Sequence, residues 1–144
     1  MKKYFLMLAL IFALTGCTQN YDFSKTCKYE TKTFHLTDST RINVVYDNED
    51  VIKKATITKN YKALDEDGKD TLKNIKEAND SYNKKYDDNI KVYISKNNQD
   101  EFEIKYALDV QKIDNNILKE FKLKKNVVKF FNKMKEENIE CEGK

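Results

Sequence analysis

Cysteine placement constrains this chain more than any other feature, because only three cysteines are present, at positions 17, 27 and 141. The first follows an export signal. Lys2 and Lys3 give a positive start, and Tyr4 to Leu14 is an unbroken apolar run. That run suits the core of a signal peptide, since a helix that spans a bilayer needs about 20 apolar residues. Cys27 and Cys141 bracket nearly all of the remaining chain. Outside the cytosol thiols are not held reduced by glutathione, so cysteines of an exported domain can stay paired.

The residues just before Cys17 are Leu14, Thr15 and Gly16, an aliphatic residue and two small ones. This stretch resembles the lipobox of bacterial lipoproteins, whose cysteine receives diacylglycerol through its thiol. The resemblance implies cleavage before Cys17 and a lipid anchor on the outer face of a membrane. Two acyl chains make such attachment stable, where one binds only marginally. Thr18 rather than Asp follows the cysteine, so in a cell with two membranes the resemblance does not imply inner-membrane retention. Lipidation uses up Cys17 and leaves an even pair, so Cys27 and Cys141 are expected to form a disulfide. The organisation expected is a signal peptide over 1–16, a lipidated cysteine and polar tether over 17–25, and one domain over 26–144.

A chain of 144 residues holds one domain. Hydrophobic residues make up 40% and charged residues 35%, with 9 Tyr and 8 Phe, which is too apolar and aromatic for disorder. Lysine dominates the basic residues and Arg41 is the lone arginine. With no Pro, no Trp and only 3 Gly, the composition suggests an AT-rich genome. Loss of Lys2 and Lys3 leaves 25 basic against 24 acidic residues in the mature chain. That balance offers no basic patch for nucleic acid.

Period-2 and period-3.6 patterns divide the domain. Lys28 to Leu36 reads as a strand, Thr37-Asp38-Ser39 as a turn, and Ile42, Val44 and Tyr46 as one face of a second strand. Asp47 to Asp50 is a turn. Val51, Ala55 and Ile57 line a third strand ending near Tyr61. Asp67 and Asp70 mark a capped helix start, and Leu72, Ile75, Asn79, Tyr82 and Tyr86 carry that helix from about Lys69 to Tyr86. Ile90, Val92 and Ile94 begin a fourth strand. The turn at Lys96 to Gln99 returns it as Glu101 to Val110, with Phe102, Ile104, Tyr106 and Leu108 on one face. Helices over Asp114–Phe121 and Lys124–Asn138 complete the order βββ-α-ββ-αα. The second of these has Val127, Val128, Phe130, Phe131 and Met134 on one arc, with Lys125, Lys129 and Lys133 opposite. The fold class expected is α+β, an antiparallel sheet of about five strands with helices packed on one face.

Several of these features together resemble the YehR-like family of small lipoproteins. They are the lipobox, Thr26-Cys27 opening a meander, Tyr61-Lys62-Ala63-Leu64 before the helix, and the hairpin from Ile90 to Val110. They also resemble Gram-positive lipoproteins with one cysteine at each end of the domain. The C-terminal helix and Cys141 depart from the first group. The resemblance implies the fold and says little about function, since those relatives are mostly uncharacterised.

Motifs of chemistry are sparse. His35 is the only histidine, so a multi-histidine metal site is impossible and a satisfied strand histidine is the favoured reading. The acidic run Asp65 to Asp70 fails as a calcium loop, because glycine at its sixth position would place Ala63 first and Asn74 twelfth. Asp47 to Asp50 is explained by a hairpin turn without a ligand. Glu101 and Glu103 share a strand face at separations a glycosidase could use, but a solvated sheet face accounts for them. Lys119, Lys122, Lys124, Lys125, Lys129, Lys133 and Lys135 against Glu120 form the most biased stretch. Contact with anionic headgroups or wall polymers is one reading, and the solvated face of an amphipathic helix is the favoured one.

The function expected is therefore a non-enzymatic binding or accessory domain, held to the membrane by its diacylglyceryl group. Its partner would be an envelope protein or polymer, with no cofactor, no metal and no nucleic acid. Two alternatives stay open: a small envelope hydrolase or transferase, and a structural subunit of an envelope assembly.

Overall fold

The computed structural model describes residues 22–83 and 88–143, apart from the side chains of 80–83. The signal segment, Cys17, the first tether residues, and Tyr82 and Tyr86 as helix-face residues lie outside that description.

The fold is α+β. Strands β1 (Phe23–Lys32), β2 (Leu36–Tyr46) and β3 (Ile52–Ala63) form an antiparallel meander and lead into helix α1 (Glu66–Asn83). Strands β4 (Ile90–Asn97) and β5 (Glu101–Asp109) form a hairpin, followed by a single 3-10 turn at Val110–Lys112. Helices α2 (Asn115–Glu120) and α3 (Val127–Glu136) precede a last strand, β6 (Glu140–Gly143). The sheet has six strands in the order β4-β5-β3-β2-β1-β6, each pairing antiparallel.

One face of this sheet carries the core. Ile42 and Val44 on β2, Ala55 and Ile57 on β3, and the alternating Phe102, Ile104, Tyr106 and Leu108 on β5 are buried. Leu72 from α1, Leu118 from α2, and Val127, Phe130 and Met134 from α3 join the same cluster. The buried arc of α3 is narrower than its sequence implied, since Val128 is exposed and Phe131 only half-buried.

Several boundaries differ from the sequence reading, each for a local reason. The domain begins earlier, because Phe23, Ser24 and Lys25 already pair with Tyr46, Val45 and Val44. The first turn falls at Thr33–His35. The Thr33 hydroxyl accepts from the Leu36 amide at 3.0 Å, and the Thr33 amide donates to the Leu36 carbonyl at 2.9 Å. Thr37, Asp38 and Ser39 are ladder residues, since buried Leu36 and Thr40 extend the inward face begun by Ile42 and Val44. On β3, Ile52 takes the core position given to Val51, which instead bridges to Asn126 beside a register shift at Val45/Tyr46. The cap of α1 is Asp65 rather than Asp67: its carboxylate accepts from the Gly68 amide at 2.8 Å, so the helix starts at Glu66.

Left-handed residues end the two C-terminal helices. Lys122 (φ 58°) and Asn138 (φ 58°) occupy the position after each cap. The following amides, of Leu123 and Ile139, reach back to the carbonyls of Leu118 and Met134, both at 2.8 Å. That is the Schellman closure, with its apolar contact between Ile139 and Met134. It turns the chain out of α3 into β6, a strand the sequence did not announce. Cys141 on β6 stands directly across from Cys27 on β1, and the two are joined by a disulfide with their Cα atoms 3.9 Å apart.

Gly68 fixes where α1 meets the meander. A Cβ there would fall 2.1 Å from the His35 carbonyl oxygen, which is backbone and already accepts from the Leu64 amide at 2.9 Å. Gly68→Ala should therefore destabilise the domain by about 1–3 kcal/mol, the usual cost of forced overpacking. Urea unfolding measures this, and a change within about 0.5 kcal/mol, the range of an indifferent surface substitution, would contradict the close approach.

Candidate functional site

With the helices on one side, the other face of the sheet is left uncovered, and its register sorts polar residues into rows. The central row runs Glu140, Lys28, Arg41, Thr58, Lys105 and Tyr93 across all six strands. On one side lies the row of Glu30, Ser39, Asn60 and Glu103. On the other lies Glu142, Thr26, Asn43 and Thr56. Neighbouring rows on one face stand about 7 Å apart along the strands.

Two of the clefts that open on this face adjoin. One, of about 500 Å³, is lined by Lys28, Glu30, Ser39, Arg41, Thr58, Asn60 and Glu103, among others. The second, of about 590 Å³, is lined by Ser24, Lys25, Thr26, Lys28, Arg41, Glu142 and Gly143. Lys28 and Arg41 are walls of both. They are direct cross-strand partners, yet among the described residues no hydrogen bond or ion pair engages either side chain. Like charges placed directly opposite repel and destabilise a sheet.

The surrounding polar groups are held in place. The Asn43 amide donates to the Ser24 and Thr26 hydroxyls, both at 3.0 Å. The Asn60 amide donates to Glu101 at 2.8 Å and to Glu103 at 3.3 Å. The hydrogen bond from Lys96 at 2.8 Å, followed by that from Asn60, holds the Glu101 carboxyl below its ordinary range. The Ser95 hydroxyl, aided by Asn60, does the same for Glu103. Glycosidic general-acid chemistry needs one carboxyl raised so that it carries a proton at neutral pH. These two are both pushed the other way, toward the ionised form, and Glu103 lines the first cleft.

Other sequence candidates fall elsewhere. His35 is in the β1–β2 turn, not in a strand, and its Nδ1 lies 2.7 Å from Asp65 Oδ2. The Asp65 hydrogen bond, then its charge, raises the His35 pKa above 6.5, and the His35 bond in turn lowers the Asp65 carboxyl. Because Asp65 also caps α1, the pair clamps the hairpin tip to the helix start. In the Asp47 turn the carboxylate accepts from the Glu49 and Val51 amides, both at 3.0 Å, as a turn requires and a cation does not. Among the described residues no three His, Cys, Asp or Glu side chains gather closely enough to hold a metal ion, and no helix is long and apolar enough to cross a membrane. The lysines of the C-terminal region are dispersed: Lys122 pairs with Glu137 at 2.6 Å and lies over the Tyr29 ring, and Lys125 donates to the Gln111 carbonyl at 2.9 Å.

Sequence reasoning missed the Lys28–Arg41 row, because pairing register cannot be read from a single strand. The signal available was the solitary arginine. It also missed Asp38, which faces the helix side of the sheet beside Tyr61. Burial raises the Asp38 carboxyl, against a lowering by Lys59, and burial together with Asp38 pushes the Tyr61 phenol up.

No family model matches the chain, and no curated protein matches it. A solved structure that shares the fold is an NMR structure of a protein from Streptococcus pneumoniae TIGR4. It is 13% identical with a TM-score of 0.55, over 86% of this chain and 87% of that one. At that identity the likeness extends to the fold alone.

The His35–Asp65 pair has a defined pH signature. A raised histidine pKa means the folded state holds that proton more tightly. Its contribution to stability is complete below the ordinary value of 6.5 and is lost as pH rises through the folded-state pKa. The lowered Asp65 carboxyl sets the acid limit, since its contribution is present above 3.8 and is lost as pH falls through its folded value. Proton NMR should find His35 titrating above 6.5 and returning toward it in Asp65→Asn. A wild-type value at or below 6.5 would contradict the pair.

Proposed function

We propose that the chain is an exported lipoprotein whose domain binds an envelope component on its uncovered sheet face, without turnover. The observation that carries the binding reading is that face itself. Two clefts there share a cationic pair that no ion pair or side-chain hydrogen bond engages among the described residues. Ordered amides and hydroxyls surround the pair, and a preorganised polar surface of this kind suits recognition.

The address rests on Lys2, Lys3, the apolar run and Leu14-Thr15-Gly16-Cys17. The Cys27–Cys141 disulfide supports it, because such bridges persist in oxidising compartments and are rare in the cytosol. Membership among YehR-like lipoproteins belongs to the same proposal. Phe23 opens β1 only six positions after Cys17. Six extended residues reach at most about 20 Å, so an anchor at Cys17 keeps the domain against the membrane surface.

The test is processing and partition. The mature protein should start at Cys17, carry a diacylglyceryl mass on it and enter the detergent phase. Cys17→Ala should stay uncleaved and unlipidated. A free Cys17 thiol in the native protein, or a Cys17→Ala chain still cleaved and retained in the membrane, overturns the address.

A further inference from the structure

We infer that the flank of the domain carrying Phe23, Val128, Phe131 and Lys135 rests on the membrane, against the headgroups of anionic phospholipid. This deepens the proposal above and rests on its lipid anchor. The first argument is where that anchor enters. Cys17 lies six positions before Phe23, at most about 20 Å of extended chain, so lipid on it holds the start of β1 at the bilayer. β1 then runs roughly 30 Å at strand rise before the turn that carries Phe34. Phe23 and Phe34 are both exposed, and Phe23 is the one that the tether brings to the headgroups.

The second argument is what surrounds Phe23. Its ring lies 5.6 Å from that of Tyr46, and Tyr46 meets Phe131 edge-on at 6.1 Å. Lys25, two residues along the same face of β1, sets its ammonium 5.0 Å from the centre of the Phe131 ring. Val128, Phe131 and Lys135 recur at steps of three and four, so they share one flank of α3. Val128 is exposed and Phe131 half-buried. The start of β1 and this flank of α3 thus form one apolar patch bordered by lysines. Rings at the headgroup boundary, beside lysines whose stems lie along them and whose ammonium groups reach the phosphates, are the chemistry of an interfacial contact.

The third argument is charge. Residues 124–136 carry five lysines against one acid, Glu136. Lys25, Lys129, Lys133 and Lys135 form no ion pair among the described residues. Beside the patch, Lys53 answers Asp22 at 3.5 Å and Asp47 at 3.6 Å. Glu49 and Asp50 stand in the turn at the start of α3, where the Asp50 carbonyl accepts from the Val127 amide at 2.8 Å. They offset part of the lysine charge, so the preference for anionic over neutral lipid is modest and the apolar contact sets the depth. A protein partner on this flank would compete with the bilayer that the tether already holds there. Because α3 belongs to the helix layer, this contact leaves the Lys28–Arg41 face on the opposite side of the sheet, open to the envelope.

The chain has no tryptophan, so single introduced indoles report depth. Phe23→Trp and Val128→Trp probe the patch, Phe34→Trp the far end of β1, and Thr58→Trp the uncovered face. Each full chain is recovered from host membranes and reconstituted in vesicles of phosphatidylcholine, with or without phosphatidylglycerol, whose brominated acyl chains quench indole fluorescence. Quenching in the two patch variants should exceed that in the two controls at least about threefold, and phosphatidylglycerol should raise it about twofold. Lys129→Glu/Lys135→Glu added to Phe23→Trp should abolish that lipid preference. Both lysines are exposed, so the melting temperature should stay unchanged, which separates lost contact from lost fold. Mass spectrometry of the same samples reads Cys17 independently, and a bare Cys17 overturns the anchor and the inference that rests on it. In a lipidated chain, patch variants quenched no more than the controls overturn the membrane contact and assign the patch to a protein partner. Quenching of the patch variants that is indifferent to phosphatidylglycerol overturns the anionic headgroup as its ligand.

Discussion

The Cys27–Cys141 disulfide is the constraint on which the rest of the architecture depends. β6 has four residues and one neighbouring strand, too little ladder to hold itself on a sheet edge. The bridge spans a sequence separation of 114 and joins β6 to a fully buried position on β1. Closing a loop of that size removes about 4–5 kcal/mol of unfolded-chain entropy in the chain-entropy model. The benefit passes to α3, because the Schellman closure at Asn138 ties the end of that helix to the start of β6. Val127, Phe130 and Met134 are thereby held against the inner face of the sheet.

A sheet packed on one side must do something with the other. Here the inner face is a continuous apolar surface from Cys27 through Ile42 and Ile57 to Tyr106. The outer face alternates to Lys28, Arg41, Thr58 and Lys105, residues whose charges and hydroxyls keep it wetted. Two acids there are satisfied by neighbours, Glu101 by Lys96 and Asn60, and Glu103 by Ser95. Lys28 and Arg41 have no such partner among the described residues, and they line both clefts. The fold thus presents a rigid strand surface, more precise than a loop, for whatever the domain binds.

Much of the fold was legible because alternation is strong. Phe102 to Leu108 and Ile42 to Val44 announced their inward faces, and the α+β order followed from them. What failed was punctuation. Thr37-Asp38-Ser39 looked like a turn by composition, but Leu36 and Thr40 bury on the same face and carry the strand through it. With so few glycines, the helix ends use Lys122 and Asn138 in the left-handed region, so the usual glycine signal for a helix stop was absent. β6 was silent because Glu140, Cys141, Glu142 and Gly143 show no apolar period, and only the cysteine partnership places them. The candidate site was the least legible part: Lys28, Arg41, Thr58 and Asn60 are ordinary polar strand residues until the register sets them side by side.

Native-state hydrogen exchange on the oxidised protein and on the Cys27→Ala/Cys141→Ala variant tests the clamp most directly. If the bridge holds β6 and α3 in place, their amides in the variant will open at clearly lower free energy than those of β2, β3 and β5, whereas in the oxidised protein α3 will open together with the central strands. Amides of β6 and α3 that remain as protected as the central strands in the variant would contradict the account.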